Sequence, residues 1–235
     1  IEEDNWVAGA EYADSLGVDV INSSLGYTTF NIKSMNHEYK DLDGNTSRAT
    51  IGADIAASKG LLIVVSAGNE GNGSWKYVGA PADADSVMAV GALDMHGDRS
   101  GFSSQGPTAD GRVKPSVMAR GGQSVVGSLY AYDVDSADGT SFASPIMAGM
   151  VTSLWQAFPN KTNMEIIQAI EKSSDRYDVP DKKYGHGTPD FYKAYRLLEG
   201  EAQVKNKKKE RPGMVKRSFV ETMKIARKKG KTVRP

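Results

Sequence analysis

Cysteine is absent from this 235-residue chain. That excludes a disulfide framework and any thiolate metal site, and it leaves the redox state of the compartment unread. Histidine is scarce: His37, His96 and His186 are the whole supply, so an imidazole base has only three places to come from. No apolar run approaches the ~20 residues needed to cross a bilayer, so no membrane span is expected. No His/Asp cluster has metal-ligand spacing, and "GNEGNG" follows an apolar run but opens no helix, so it is not a phosphate loop. Neither a Gly-x-Ser-x-Gly elbow nor a Ser-x-x-Lys pair occurs. The chain opens at Ile1 with no signal segment, which predicts that something upstream has been removed.

What is present is unevenly charged. Net charge is zero, yet residues 201–235 hold 13 Lys/Arg against 3 Asp/Glu, leaving 16 against 26 for residues 1–200. The tail "KNKKKERPGMVKRSFVETMKIARKKGK" is therefore a separate compositional segment. It reads either as a basic arm for an acidic partner or as a solvated tail with a short helix over 215–229. It has no nucleic-acid motif and almost no aromatic side chain to stack on bases, so no nucleic-acid partner is expected.

Residues 1–200 alternate helical and strand patterns. "DNWVAGAEYADSLG" has helical apolar spacing and ends at Gly17. "VDVINSS" reads as a buried strand. "NTSRATIGADIAASKG" is a helix capped by Thr46 or Asn45, with Ile51 and Ile55 on one face and Gly60 closing it. "LLIVVSA" and "SVMAVGAL" are two more apolar strands. Residues 93–138 are rich in Gly, Ser and Pro and read as short strands and loops. Three helices follow, from Thr140, from the capping box Thr162–Glu165, and after Pro189 in its first turn. This order predicts an α/β fold with a mainly parallel sheet.

In such sheets ligands bind beyond the carboxyl ends of the strands. The residues there are Ser24, Leu25, Gly26 and Tyr27 after one strand, and Ser66, Ala67, Gly68, Asn69, Glu70 and Gly71 after the next. Both sets are small and polar, and Asn69 offers an amide donor. Ser141 opens the helix in "SADGTSFASPIMAGMVTSLW", with Pro145 placed in the first turn where it costs little. A hydroxyl there is either an N-cap or a nucleophile facing the unpaired N–H groups of a helix end.

The motif "GTSFASP" resembles the nucleophile box of the subtilisin-like serine proteases. "NSSLGY" is similar to the family's substrate-binding strand, "VVSAGNEG" to its oxyanion segment, and "VMAVGALD", "FSSQGP" and "YGHGTPDFYKAY" to later segments in the same order. The match runs over residues 1–198 and looks closest to bacterial members. The resemblance implies a three-layer subtilisin-like fold whose N-terminal part is missing here: residues 1–200 as a partial catalytic domain, then the basic tail 201–235. It implies a serine endopeptidase, with Ser141 as the acyl-forming nucleophile and Asn69 as oxyanion donor. Ser24, Leu25 and Gly26 would pair with an extended polypeptide substrate, while Ser66, Ala67, Gly68 and Gly79 would line a pocket for a large apolar side chain. No cofactor is assigned; calcium is common in the family, but no ligands are identified here. Secretion or a cell-envelope location is also implied.

Two departures stand out. "KPSVMARG" has Ser116 where the family commonly has an acid and Arg120 where it has proline. More important, the family's Asp and His boxes precede the substrate strand, and neither is present. His37 and His96 read as surface loop residues, and His186, although part of a literal "HGT", falls in the family's C-terminal segment. The expectation is the C-terminal two-thirds of a catalytic domain, inactive alone because Ser141 has no base. The alternative is a non-catalytic peptide-binding module.

Overall fold

Four strands running in one direction organise this protein, whose computed structural model describes residues 1–128 and 132–207. They are β1 (Val20–Ser23), β2 (Leu62–Ser66), β3 (Met88–Leu93) and β4 (Val117–Arg120). The sheet order is β1-β2-β3-β4, and every neighbouring pair is parallel. Around it lie α1 (Glu2–Ser15), α2 (Arg48–Ser58), α3 (Thr140–Ala157), α4 (Asn163–Ser173) and, through Leu198, the first part of α5 (Phe191–Lys207). A separate antiparallel ribbon, β5 (Ser124–Gly127) with β6 (Val134–Ala137), leads into α3. By its contacts the chain divides into Ile1–Leu198 and Glu199–Pro235; the first unit carries everything that follows. A helix over 215–229 falls outside the described residues.

Side chains of a strand alternate between the two faces of a sheet. In β2 this sends Leu62 and Val64 into one apolar cluster and Ile63 and Val65 into another. The first cluster is completed by Ala143, Met147, Val151 and Leu154 of α3, Ile166 and Ile170 of α4, and Leu198. The second is completed by Trp6 and Ala10 of α1 and by Ala49, Ala53 and Ala56 of α2. This is the parallel α/β sheet that the sequence predicts, in the three-layer arrangement that the resemblance implies. Both faces of β2 are fully covered, so all five of its residues are buried, as a continuous apolar strand requires.

Several expectations change in detail. "VDVINSS" is not fully buried. Val20 and Ile21 are partly exposed and Asn22 is exposed, because among the described residues no strand pairs with the outer edge of β1. Apolar grooves of about 280 and 380 Å³ flank that edge, one against Trp6 and Ala13, the other against Thr152 and Trp155. Helix α2 is capped by Ser47, whose oxygen accepts from the Thr50 N–H at 3.4 Å, not by Thr46 or Asn45. Ile51 and Ile55 do share a face, but it is the outer one; the core face is alanine. The Thr162–Glu165 box forms as expected, with both reciprocal bonds. Pro189 lies just ahead of α5 rather than inside it, and the Asp190 carboxylate accepts from the Lys193 N–H at 2.9 Å.

Buried charge collects at the amino ends of the strands. Lys114 is 4% exposed, and its Nζ donates to the carbonyls of Ala84 (2.8 Å) and Val87 (3.2 Å). Burial, helped by the nearby Arg112, lowers its pKa from 10.5 to about 8, against the pull of Glu171, Asp83 and Asp54. The unfolded chain then holds the extra proton between pH 8 and 10.5, so stability rises with pH across that window. Urea denaturation at pH 8 and pH 10 should show this rise, and Lys114→Met should flatten it.

Candidate active site

The carboxyl ends of β1 and β2 and the amino end of α3 converge. Asn69 lies three residues beyond β2, and α3 begins at Thr140. Thr140 is fully buried and joins the two. Its N–H and its hydroxyl both donate to Asn69 Oδ1, at 2.9 and 3.0 Å. The hydroxyl oxygen accepts the Gly68 N–H at 3.1 Å. Because a backbone N–H can only donate, the atom of Asn69 that faces it is the oxygen. The amide nitrogen is thereby turned outward. Asn69 is exposed, and among the described residues Nδ2 has no protein partner.

Gly68 makes this turn possible. Its φ is +107°, and an added Cβ would lie 2.9 Å from Ser104 Oγ. Ser104 holds the turn from outside: its N–H donates to Gly68 O at 2.9 Å, and its hydroxyl accepts the Glu70 N–H at 3.0 Å. Ser66 and Ala67 are buried beneath the turn. Sequence reasoning names Asn69 and Gly68 but gives Thr140 no role. Its signal is its position, directly between a glycine and the helix-opening serine, where a side-chain acceptor can reach back to an adjacent strand end.

Ser141 is partly exposed on the first turn of α3. Among the described residues its Oγ has no hydrogen-bond partner, and its carbonyl accepts the Ser24 hydroxyl at 3.1 Å. The end of β1 is pinned from both faces. Trp6 Nε1 donates to Ser23 Oγ at 2.9 Å on the α1 side, and Ser144 Oγ donates to Asn22 Oδ1 at 2.6 Å on the α3 side. Leu25 and Gly26 are exposed, and nothing lies within 4 Å of a Cβ built on Gly26. Tyr27 and Ala80 then exchange backbone hydrogen bonds of 2.8 and 3.2 Å. This seats buried Gly79 against Thr28 and the Tyr27 backbone, where an added Cβ would come within 3.3 Å of the Thr28 methyl. Burial, with Glu2 and Glu3 nearby, raises the Tyr27 phenol pKa. The structure thus gathers Ser141, Asn69, Gly68 and Ser24, with Gly79 joined to the strand end through Tyr27.

No imidazole is placed against Ser141. His37 is not the free surface residue that its loop suggests: its Nε2 is 2.9 Å from Glu3 Oε1, with both side chains mostly covered. Ser47 donates to the same carboxylate oxygen. His96 is exposed in the turn after β3. The Nδ1 of His186 lies 3.1 Å from Ser116 O, just before β4 begins, and its ring stacks on Tyr177. That is the amino end of the sheet, opposite to Ser141. Ser116 is tied to Ala89, its N–H donating to Ala89 O at 2.7 Å and its hydroxyl accepting the Ala89 N–H at 3.3 Å, and Arg120 folds back onto the carbonyls of Gly122 and Gln123. Among the described residues no cluster of three or more His, Cys, Asp or Glu is placed to hold a metal, and no helix is long and apolar enough to cross a membrane.

The arrangement has relatives. A sequence profile of the Subtilase family, Peptidase_S8, matches residues 3–187. The chain is 35% identical over 185 residues to subtilisin of Bacillus pumilus, covering 78% of this chain and 59% of that one. It is 34% identical over 172 residues to subtilisin E of Bacillus subtilis strain 168, covering 72% and 39%. It therefore spans less than two thirds of the length of these relatives. In fold it resembles the self-cleaved protease domain of PatA, with a TM-score of 0.67 at 24% identity over 84% of this chain and 68% of that one. MycP1 of the ESX-1 type VII secretion system is similar in fold, with a TM-score of 0.63 at 22% identity over 82% and 55%.

Thr140→Val removes the acceptor of a largely buried N–H as well as the donor that orients Asn69. An unsatisfied buried group costs ~1–3 kcal/mol, so urea denaturation should show a loss of that order. Thr140→Ser, which keeps the hydroxyl, should recover most of it.

Proposed function

This chain belongs to the subtilase family, and from that premise we propose that it carries the nucleophile half of a serine endopeptidase site. Ser141 Oγ is the atom that attacks a peptide carbonyl to form an acyl-enzyme. Asn69 Nδ2 and the Ser141 N–H are the donors that receive the developing oxyanion. Ser24, Leu25 and Gly26 take the substrate as an added strand, with the open space above Gly26 left for its backbone. Ser66, Ala67, Gly68 and Gly79 form the walls of the pocket for the side chain next to the scissile bond. The observation that carries the reading is the fixed amide of Asn69: Thr140, the residue before Ser141, takes both its own N–H and its hydroxyl to the oxygen, which leaves Nδ2 as the free donor.

A serine nucleophile needs an imidazole within ~2.6–3.2 Å and a carboxylate behind it. All three histidines of this chain are accounted for elsewhere in the fold. We therefore assign the base to polypeptide beyond this chain, packed on the open edge of β1 and its two flanking grooves, and expect the chain alone to be inactive. A peptide-binding role without hydrolysis is the second reading, favoured by the same lack of a base beside an open strand end.

Two measurements separate these. Intact-mass analysis after treatment with a fluorophosphonate should find no labelling of the isolated chain above a Ser141→Ala control; labelling at Ser141 would show that a base is present after all. Blocked, extended peptides should bind the chain, and Gly26→Trp should weaken them by about tenfold, or 1.4 kcal/mol. A chain that binds no such peptide removes the groove function in both readings.

A further inference from the structure

Helix α3 begins at Thr140, which makes Pro145 its sixth residue rather than part of a first turn. The difference matters. In an α-helix the N–H of residue 145 donates to the carbonyl of residue 141, and proline has no N–H. The carbonyl left without its helical donor is that of Ser141. Ser24 supplies a replacement, its hydroxyl donating to Ser141 O at 3.1 Å from 117 residues away in sequence.

The replacement is itself held. Ser24 Oγ has spent its only proton on Ser141, so it can only accept from its other neighbours. Asn22 Nδ2 donates to it at 3.4 Å. Asn22 is turned the right way by Ser144, which is fully buried and donates to Asn22 Oδ1 at 2.6 Å. Donors and acceptors therefore run in one direction, from Ser144 through Asn22 and Ser24 to Ser141. The chain of bonds starts and ends on α3, three residues apart, and passes through the last residues of β1 and the one after it.

We propose that Ser24 is a positioning residue: its side-chain hydroxyl replaces the helical donor that Pro145 removes, and so locks the segment Ser24–Gly26 in register with the nucleophile. A water molecule would satisfy the same carbonyl without tying anything to it. A hydroxyl carried by the strand end makes the groove and the serine move together. The bond stands independently of the proposed function; its consequence for a bound peptide rests on that function.

The test is a double-mutant cycle on the whole chain, read by denaturation midpoint and by affinity for a blocked extended peptide. Ser24→Ala should lower the midpoint when residue 145 is proline. In a Pro145→Ala background, where the helix supplies its own donor, Ser24→Ala should change the midpoint little. Equal losses in the two backgrounds would overturn the coupling. Should Pro145→Ala fail to fold, Ser24→Thr decides: it should keep the wild-type midpoint, and a Thr variant no better than Ala would overturn the bond.

Affinity reports the register. Losing one hydrogen bond of ordinary net strength, about 0.5–1.5 kcal/mol, should weaken the peptide by roughly twofold to tenfold in Ser24→Ala, with Ser24→Thr restoring it. A wild-type chain that binds while Ser24→Ala binds equally well overturns the positioning role. A wild-type chain that binds nothing removes the groove function instead, and the midpoint cycle alone then confirms or overturns the bond.

Discussion

The double burial of β2 is the constraint from which the site follows. A strand with α3 on one face and α1 and α2 on the other has no freedom to tilt or slide, since a shift of one residue would exchange its two apolar sets. Its carboxyl end must therefore emerge at a fixed point, and the chain must turn at once beneath α3. Gly68 permits that turn, and Thr140 fastens it from above. The position of Asn69 is thus decided by packing several residues away, not by its own few contacts. A side chain that is exposed can still be well placed when the backbone beneath it has one conformation.

The opposite end of the sheet has a different character. Lys114, Asp83 and Glu171 are largely buried near the amino ends of the strands, and the pKa shift of each has burial as its first cause. His186 belongs to this group, through Ser116 and the field of Glu171. Charged groups there serve the packing of loops under the sheet. Where β1 and β2 end beside α3, the side chains gathered around Ser141 are instead neutral: the hydroxyls of Ser24 and Thr140 and the amide of Asn69. Parallel strands sort the molecule into a structural end and an open end, and a histidine on the wrong end cannot serve a serine on the other, whatever motif surrounds it.

The layered fold was legible because its strongest signals are local. Apolar runs such as "LLIVVSA", the capping box at Thr162 and the helix stops at Gly17 and Gly60 can each be read within a dozen residues. Ser141, Asn69 and Gly68 were legible through short motifs. What escaped depends on partners distant in sequence. Whether "VDVINSS" is buried depends on a neighbouring strand and not on its own β-branched residues. Ser47 rather than Thr46 caps α2, a one-residue choice decided in part by the Glu3 carboxylate across the fold. His37 looked free because Glu3 lies 34 residues away. The roles of Thr140 and of the Ser24 side chain appear only when two strand ends and a helix start are brought together.

That dependence has a kinetic side. The bonds that shape the site join residues 72 apart at Gly68 and Thr140, 117 apart at Ser24 and Ser141, and 122 apart at Asn22 and Ser144. Contacts of such separation close large loops and form only after that entropy has been met by other contacts. Helix α4 can flicker into being early, with a capping box and periodicity of its own. The surroundings of Ser141 have no such local start. They belong to the last stage of assembly, so a partly folded chain holds recognisable helices before Ser24 and Thr140 have met Ser141 and Asn69.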